Sequence, residues 1–233
     1  MKGQADTWGD LEPPWQAALS LSWEALGART IPIGAVLAAP DGTIVGSGRN
    51  RMYDTGPFPP GELARSLLAH AEVNALIGLD PERRYEEYIL YTALEPCVLC
   101  VGATVMSTVG TIRYAGADPY GGADGGLVAV NVHMRRVPVA LDGPRRDVVG
   151  LFASSLVVAF YLLRNPQGRV VLAFQDERPY LVEAAEALLQ NGVIEAATGG
   201  IPLEAYWHVA VTALEPIVER SVGLFRTARD LPS

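Results

Sequence analysis

The order in which short apolar runs alternate with helical patterns constrains the fold of this 233-residue chain more than any other feature of its sequence. Residues 16–26 have the apolar spacing of an amphipathic helix. Two short apolar runs, 33–39 and 43–48, then flank Asp41-Gly42, and an Asp-Gly pair in this position is the strongest short signal for a β-hairpin. We therefore predict a helix followed by a hairpin, and then a proline-rich loop over 53–61.

The middle of the sequence alternates helices with strands. The predicted elements are, in order, a helical run over 62–79, a strand over 88–93, a helix over 97–109 and strands over 111–115 and 137–141. The run 128–132 has no clear pattern. Strands that are separated by helices pair in parallel. The sequence thus predicts an α/β fold, a three-layer α/β/α sandwich.

The C-terminal part of the chain is mostly helical. Helices are predicted over 148–163, 179–191 and 203–224, and we expect Pro216 to kink or break the last of them. We accordingly divide the chain into a domain over 1–146 and a helical C-terminal extension over 147–233.

Charge and hydropathy bear on partners and location. The net charge of −8 argues against nucleic acid as a binding partner, because proteins that bind nucleic acid usually present a basic surface. The apolar stretch 151–163 is shorter than the roughly 20 residues that a membrane span needs, and residues 1–8 lack the pattern of a secretory signal. We expect a cytoplasmic protein without a membrane or nucleic-acid partner.

Both cysteines of the chain lie in one C-x-x-C motif, Cys97 and Cys100. Two cysteines build no disulfide framework, which leaves a metal site, a redox pair or coincidence. Pro96 opens a predicted helix, whose first turn aims both sulfurs the same way and favours their thiolate form. His70 can add a third ligand. Three protein ligands leave one coordination position for water, which zinc activates near neutral pH.

Glu72 indicates the chemistry of such a site. Hydrolytic deamination takes a proton from water, protonates a ring nitrogen and protonates the departing amine, and one carboxylate beside the metal can serve all three steps. Residues two apart within a helix point in different directions. His70 and Glu72 should therefore lie around a helix start, so that the run 62–79 breaks near 68–70.

These motifs resemble a known family. His-Ala-Glu at 70–72 with Pro-Cys-Val-Leu-Cys at 96–100 is similar to the H-x-E and P-C-x-x-C signature of zinc deaminases of the cytidine deaminase-like superfamily. Residues 31–36 resemble the first strand of that superfamily, and 48–50 the end of its second. The similarity, over about residues 15–142, is to the branch with tRNA adenosine deaminases, guanine deaminases and yeast-type cytosine deaminases.

The resemblance implies a role for six residues. His70, Cys97 and Cys100 hold Zn²⁺, Glu72 is the catalytic proton shuttle, and the Asn50 side chain and the Ala71 amide bind the substrate ring. Asp118, Tyr120 and Asp124 lie where the family often lines its pocket, although turn chemistry explains them equally well. The resemblance also implies an oligomer, which we expect to be a homodimer.

The expected activity is zinc-dependent hydrolytic deamination of a small-molecule heterocycle. The substrate would be a free nucleobase, a nucleoside or a related amino-heterocycle, of guanine, cytosine or adenosine type. Three segments depart from the family pattern: the loop before His70, the glycine-rich loop 116–126 and the extension. The sequence therefore does not identify which heterocycle is the substrate. A tRNA-specific adenosine deaminase is one alternative, favoured by the motif and opposed by the charge. A non-catalytic zinc-containing scaffold is another, opposed by Glu72.

Overall fold

A mixed five-stranded sheet forms the centre of the molecule in a computed structural model, which describes residues 7–123, 132–137 and 139–221. Its strands are β1 (Gly34–Ala38), β2 (Ile44–Arg49), β3 (Ile89–Leu94), β4 (Thr111–Gly116) and β5 (Ala140–Asp142), in the spatial order β2-β1-β3-β4-β5. β1 is antiparallel to both of its neighbours, whereas β3, β4 and β5 are parallel. The predicted hairpin and the predicted parallel strands are confirmed.

The hairpin turn is built by its Asp-Gly pair. The Asp41 side chain accepts a hydrogen bond from the Thr43 amide at 2.9 Å, and Gly42 adopts a positive φ of 85° that favours glycine. The register pairs Gly34 with Arg49, which brings Asn50 to the end of β2.

Helices cover both faces of the sheet. The elements around it are α1 (Pro13–Gly27), α2 (Ala71–Leu76), α3 (Val98–Met106), the short α4 (Val132–Arg136) and α5 (Val148–Arg164). On one face α1 and α5 pack against side chains such as Val36 and Ala93, and on the other α2 and α3 pack against Ala35 and Leu90. This is the predicted three-layer α/β/α sandwich.

Two glycines allow the helices on either face to approach the sheet. A Cβ on Gly34 would lie 2.2 Å from the Ala18 carbonyl oxygen of α1. A Cβ on Gly48 would lie 2.5 Å from the Ala71 carbonyl oxygen, at the start of α2. Larger residues would push both helices outward, because folded interiors leave no room for such contacts. Gly48 therefore helps to set the position of α2.

The C-terminal region is helical, as predicted. After α5 come α6 (Arg169–Glu177), α7 (Pro179–Gln190), α8 (Val193–Thr198) and α9 (Leu203–Ser221). The sequence did not reveal α6 or α8, and Pro216 lies within α9 without ending it. The division at residue 147 stays a prediction, and α5, which follows it directly, packs on β3 and β4. No described helix combines the length and the apolar character that crossing a bilayer requires.

The helical run predicted over 62–79 is wrong in its first half. Only α2 forms, and Leu67 before it is 77% exposed, so its apolar spacing does not mark a buried face. Backbone hydrogen bonds from Arg51 to the Ala69 carbonyl and from Arg65 to the Arg51 carbonyl hold this segment against the preceding loop instead. The break before Ala71 is confirmed. Residues 128–131 lie outside the described residues.

Candidate active site

Two helix starts bring three metal-ligating side chains together. His70 is the residue before α2, Cys97 is the residue before α3, and Cys100 lies in the first turn of α3. The His70 Nδ1 atom is 3.6 Å from the Cys97 sulfur and 3.4 Å from the Cys100 sulfur, and the two sulfurs are 3.6 Å apart. Among the described residues, these three form the group that can hold a metal ion.

The spacing of the three atoms fits tetrahedral zinc. Zinc–sulfur bonds of about 2.3 Å and zinc–nitrogen bonds of about 2.0–2.1 Å imply about 3.8 Å between two sulfurs and about 3.6 Å between sulfur and nitrogen. The observed distances of 3.4 to 3.6 Å are close to these values. Two sulfurs and one imidazole nitrogen are also the donor types that zinc prefers.

The electrostatics of the cluster favour a thiolate. A hydrogen bond from the Cys100 thiol lowers the pKa of Cys97 to about 4 against the effect of burial, and His70 adds to this. The same contact with Cys97 raises the pKa of Cys100, and burial raises it further. The hydrogen bond to Cys97 raises the pKa of His70. A thiolate is the form of cysteine that binds metal.

Glu72 lies directly beside this cluster. Its side chain is only 3% exposed, and burial raises its pKa. The Oε1 atom accepts a hydrogen bond of 2.9 Å from the Thr92 hydroxyl of β3, and the Oε2 atom lies 3.2 Å from the Cys100 sulfur. The carboxylate is thus held in one orientation next to the metal-ligating atoms. Sequence reasoning missed Thr92, whose role depends on contact between distant segments.

These side chains face a cavity of about 200 Å³ at the edge where β3 and β4 end. Its walls come from seven segments of the chain, between residues 31 and 170. The lining residues outside the cluster are Ile31, Ile33, Asn50, Met52, Leu94, Glu95, Asp118, Tyr120, Gly121, Val157, Tyr161 and Val170. The last three belong to α5 and α6, and no sequence motif marked them as site residues.

Asn50 is buried at the cavity wall, and its orientation is fixed by its neighbours. It is 1% exposed, and its Oδ1 atom accepts hydrogen bonds from the Thr30 hydroxyl at 2.9 Å and the Met52 amide at 3.0 Å. Because the oxygen is used in this way, the Nδ2 group is turned toward the remaining space. Asn50 therefore presents a hydrogen-bond donor at the cavity.

The other residues singled out in the sequence fall in three places. Ala71 is the first residue of α2 and is fully buried, but it does not line the cavity, so its contact with a substrate stays a prediction. Asp118 and Tyr120 line the cavity, and Asp118 also accepts hydrogen bonds from the amides of Tyr120 and Gly121 in a turn. Asp124 lies outside the described residues.

A comparison with known families matches residues 11–115 to the cytidine and deoxycytidylate deaminase zinc-binding region. Over these residues the chain is similar to the cytidine deaminase-like superfamily. The matched segment contains His70, Glu72, Cys97 and Cys100. The matching family consists of zinc-binding deaminases. Members of this family act on nucleobases, nucleosides or tRNA.

Three relatives show the breadth of that family. A tRNA(Ile)-lysidine synthase of Deinococcus deserti is 36% identical over 55% of this chain and 23% of its own length. A cytosine deaminase of Candida albicans is 30% identical over 39% of this chain and 56% of its own. A tRNA-specific adenosine deaminase of Bacillus subtilis is 34% identical over 42% of this chain and 56% of its own. The chain thus spans less than two thirds of these relatives, and two of their names contain tRNA, so they do not support the expected exclusion of nucleic acid.

Proposed function

We propose that this protein releases ammonia from a small amino-heterocycle by zinc-dependent hydrolysis. The observation that carries this proposal is the buried Glu72 carboxylate, 3.2 Å from the Cys100 sulfur, at a cavity large enough for a single small ligand. A metal site with a purely structural role needs no buried carboxylate beside its ligands. The arrangement therefore supports catalysis over the alternative of a zinc-containing scaffold.

Each polar group has a role in the proposed reaction. His70, Cys97 and Cys100 hold the zinc, which when bound supplies an activated water. Glu72 would accept a proton from the attacking water and pass it to a ring nitrogen, and would then take the second proton from the hydroxyl on the ring carbon and deliver it to the leaving amine. Oxygen replaces nitrogen on the ring carbon as the carbon–nitrogen bond breaks, and ammonia departs.

Asn50 is proposed to orient the ring. Its Nδ2 group is a donor, so the atom that it contacts is a ring nitrogen or a carbonyl oxygen. The Ala71 amide, at the N-terminus of α2, is proposed as a second donor. A ring held from two sides brings its amino-bearing carbon into a reactive position.

The direct test replaces the carboxylate with its neutral isostere. Glu72→Gln should lower kcat by about 10²–10⁴-fold, because proton transfer is lost while the shape of the site is kept. Zinc content, measured by elemental analysis, should be unchanged. Glu82→Gln, at an exposed position, is the matched control and should keep full activity. Full ammonia release by Glu72→Gln would refute the proton-shuttle role.

Deamination of adenosine in tRNA is the second candidate, supported by the name of the relative from Bacillus subtilis. The net charge of −8 opposes it, because phosphate contacts dominate affinity for nucleic acids. The two candidates are separated by measuring inosine formation in an anticodon stem-loop against ammonia release from free bases and nucleosides. Inosine formation at a higher kcat/KM would favour the tRNA substrate.

A homodimer is proposed as the assembled state. Exposed apolar side chains lie near the metal-ligating residues, including Leu67 and Leu68 just before His70 and Val98 just after Cys97. Met106, two turns further along α3, is 73% exposed. Contiguous exposed apolar patches mark protein–protein interfaces. Sedimentation of the wild type should give a dimer, and Met106→Glu should give monomers.

A further inference from the structure

Two helices of the C-terminal region reach the cavity from the side opposite the metal-ligating residues. α2 and α3, which carry those residues, lie on one face of the sheet, whereas α5 lies on the other. Val157 and Tyr161, one turn apart on α5, line the cavity, and so does Val170 at the start of α6. The substrate space is therefore bounded on this side by the chain itself.

The α5 side of the cavity packs against the loop that follows Asn50. The Tyr53 ring stacks on Phe160 of α5 with 6.3 Å between centroids. The Arg164 guanidinium, at the end of α5, lies 4.1 Å from the centroid of the Tyr53 ring, in a cation–π contact. Val157 is buried in the core beneath. Packing on both sides thus holds the C-terminal half of α5 in place.

Tyr161 adds a polar group to an otherwise apolar boundary. Burial, together with smaller effects of Tyr53 and Asp118, raises the pKa of Tyr161 to about 12, so the hydroxyl is neutral at physiological pH. Within the described part of the chain the hydroxyl makes no hydrogen bond. It can therefore donate to or accept from a ligand in the cavity.

We propose, resting on the deaminase function above, that α5 and the start of α6 restrict the substrate to a free heterocycle, and that Tyr161 is the residue that determines this specificity. The cavity of about 200 Å³ is smaller than the roughly 300–1,000 Å³ of sites for drug-sized ligands. A ring that carries ribose, or that is part of a polynucleotide, needs space that Val157, Tyr161 and Val170 fill.

The experiment compares each free base with its own riboside on the zinc-loaded full chain. Calorimetry gives the dissociation constants for cytosine and cytidine, adenine and adenosine, and guanine and guanosine, and ammonia release gives kcat/KM for the same pairs. The wild type should bind at least one base about tenfold or more tightly than its riboside. Tyr161→Ala should reduce that ratio severalfold by admitting the riboside, and Val170→Ala should change it in the same direction.

Two further variants separate the hydroxyl from the bulk of the ring. Tyr161→Phe keeps the ring, so it should weaken binding of the base and keep the discrimination against the riboside. Leu163→Ala changes an exposed residue of the same helix that does not line the cavity, and should match the wild type.

The outcomes distinguish this inference from the proposed function. Equal binding of base and riboside by the wild type, binding of none of the six compounds, or an unchanged ratio in both Tyr161→Ala and Val170→Ala would overturn the inference. Selective binding of a base without ammonia release would refute the proposed deamination and leave the specificity role supported. Efficient deamination of an anticodon stem-loop by the wild type would overturn the inference while retaining a deaminase.

Discussion

The two sides of the cavity differ in how their residues are brought together. On the α2–α3 side, His70, Glu72, Cys97 and Cys100 come from two short segments, each at a helix start. On the α5–α6 side, Val157, Tyr161 and Val170 come from two helices that approach over the sheet. The chemistry thus depends on local motifs, whereas the shape of the substrate space depends on long-range packing. Changes on the first side should affect kcat, and changes on the second should affect which compounds bind.

Loss of a metal ligand should have the largest effect. Cys97→Ser replaces a sulfur whose pKa is lowered to about 4 with a hydroxyl that stays protonated. We expect loss of bound zinc and a fall in activity beyond the roughly 10–100-fold caused by removing an outer hydrogen-bond partner of a ligand. Elemental analysis and ammonia release measure both effects. Retention of stoichiometric zinc with full activity would contradict the proposed ligand set.

A smaller loss is expected where a neighbour positions the Glu72 carboxylate, the proposed proton shuttle. Thr92→Val keeps the side-chain shape and removes the hydrogen bond of 2.9 Å to Glu72. The carboxylate then loses its fixed orientation, so kcat should fall about tenfold while KM and zinc content change little. Steady-state kinetics with elemental analysis check this. A change confined to KM would instead assign Thr92 to substrate binding.

Thr30→Val tests the proposed role of Asn50 in substrate binding. The Thr30 hydroxyl donates to the Asn50 Oδ1 atom and accepts from the Tyr53 amide, so its loss lets the Asn50 side chain turn away from its present orientation. We expect KM to rise severalfold, on the order of the loss of one neutral hydrogen bond, with a smaller change in kcat. A lower kcat at constant KM would show that Asn50 acts on the reaction step rather than on binding.

The smallest effect concerns stability in acid. Burial raises the pKa of Asp54, but hydrogen bonds from Arg49 and Arg51 outweigh it, so the folded-state pKa is lowered. A lowered carboxyl pKa stabilises the fold above the unfolded value of about 3.9, and this contribution is lost as the pH falls through the folded value. Asp54→Asn should therefore lower the free energy of unfolding at pH 7 by about 1–2 kcal/mol. At pH 3 the difference in unfolding free energy between the variant and the wild type should be smaller. Denaturant unfolding at both pH values measures this, and a constant gap would contradict it.

The sequence predicts the α2–α3 side better than the α5–α6 side for a physical reason. The C-x-x-C spacing and the helix start fix how Cys97 and Cys100 point, whatever the rest of the chain does. The Asp41-Gly42 turn likewise sets its hairpin locally. In contrast, the contact of Tyr161 with the cavity depends on where α5 crosses the sheet, which no local pattern encodes. Leu67 and Leu68 misled the prediction because their apolar spacing suggests a buried helix face that does not form.

The contact between Tyr53 and α5 has a consequence for how the proposed substrate preference of this chain can change. From Phe160 the path runs through the Tyr53 ring and backbone to the Thr30 hydroxyl and on to Asn50. A displacement of α5 that enlarges the cavity would also tilt the Asn50 amide that we propose to orient the ring. New substrates would then require compensating substitutions at both ends of this path, so an altered preference should arise through paired changes rather than single ones.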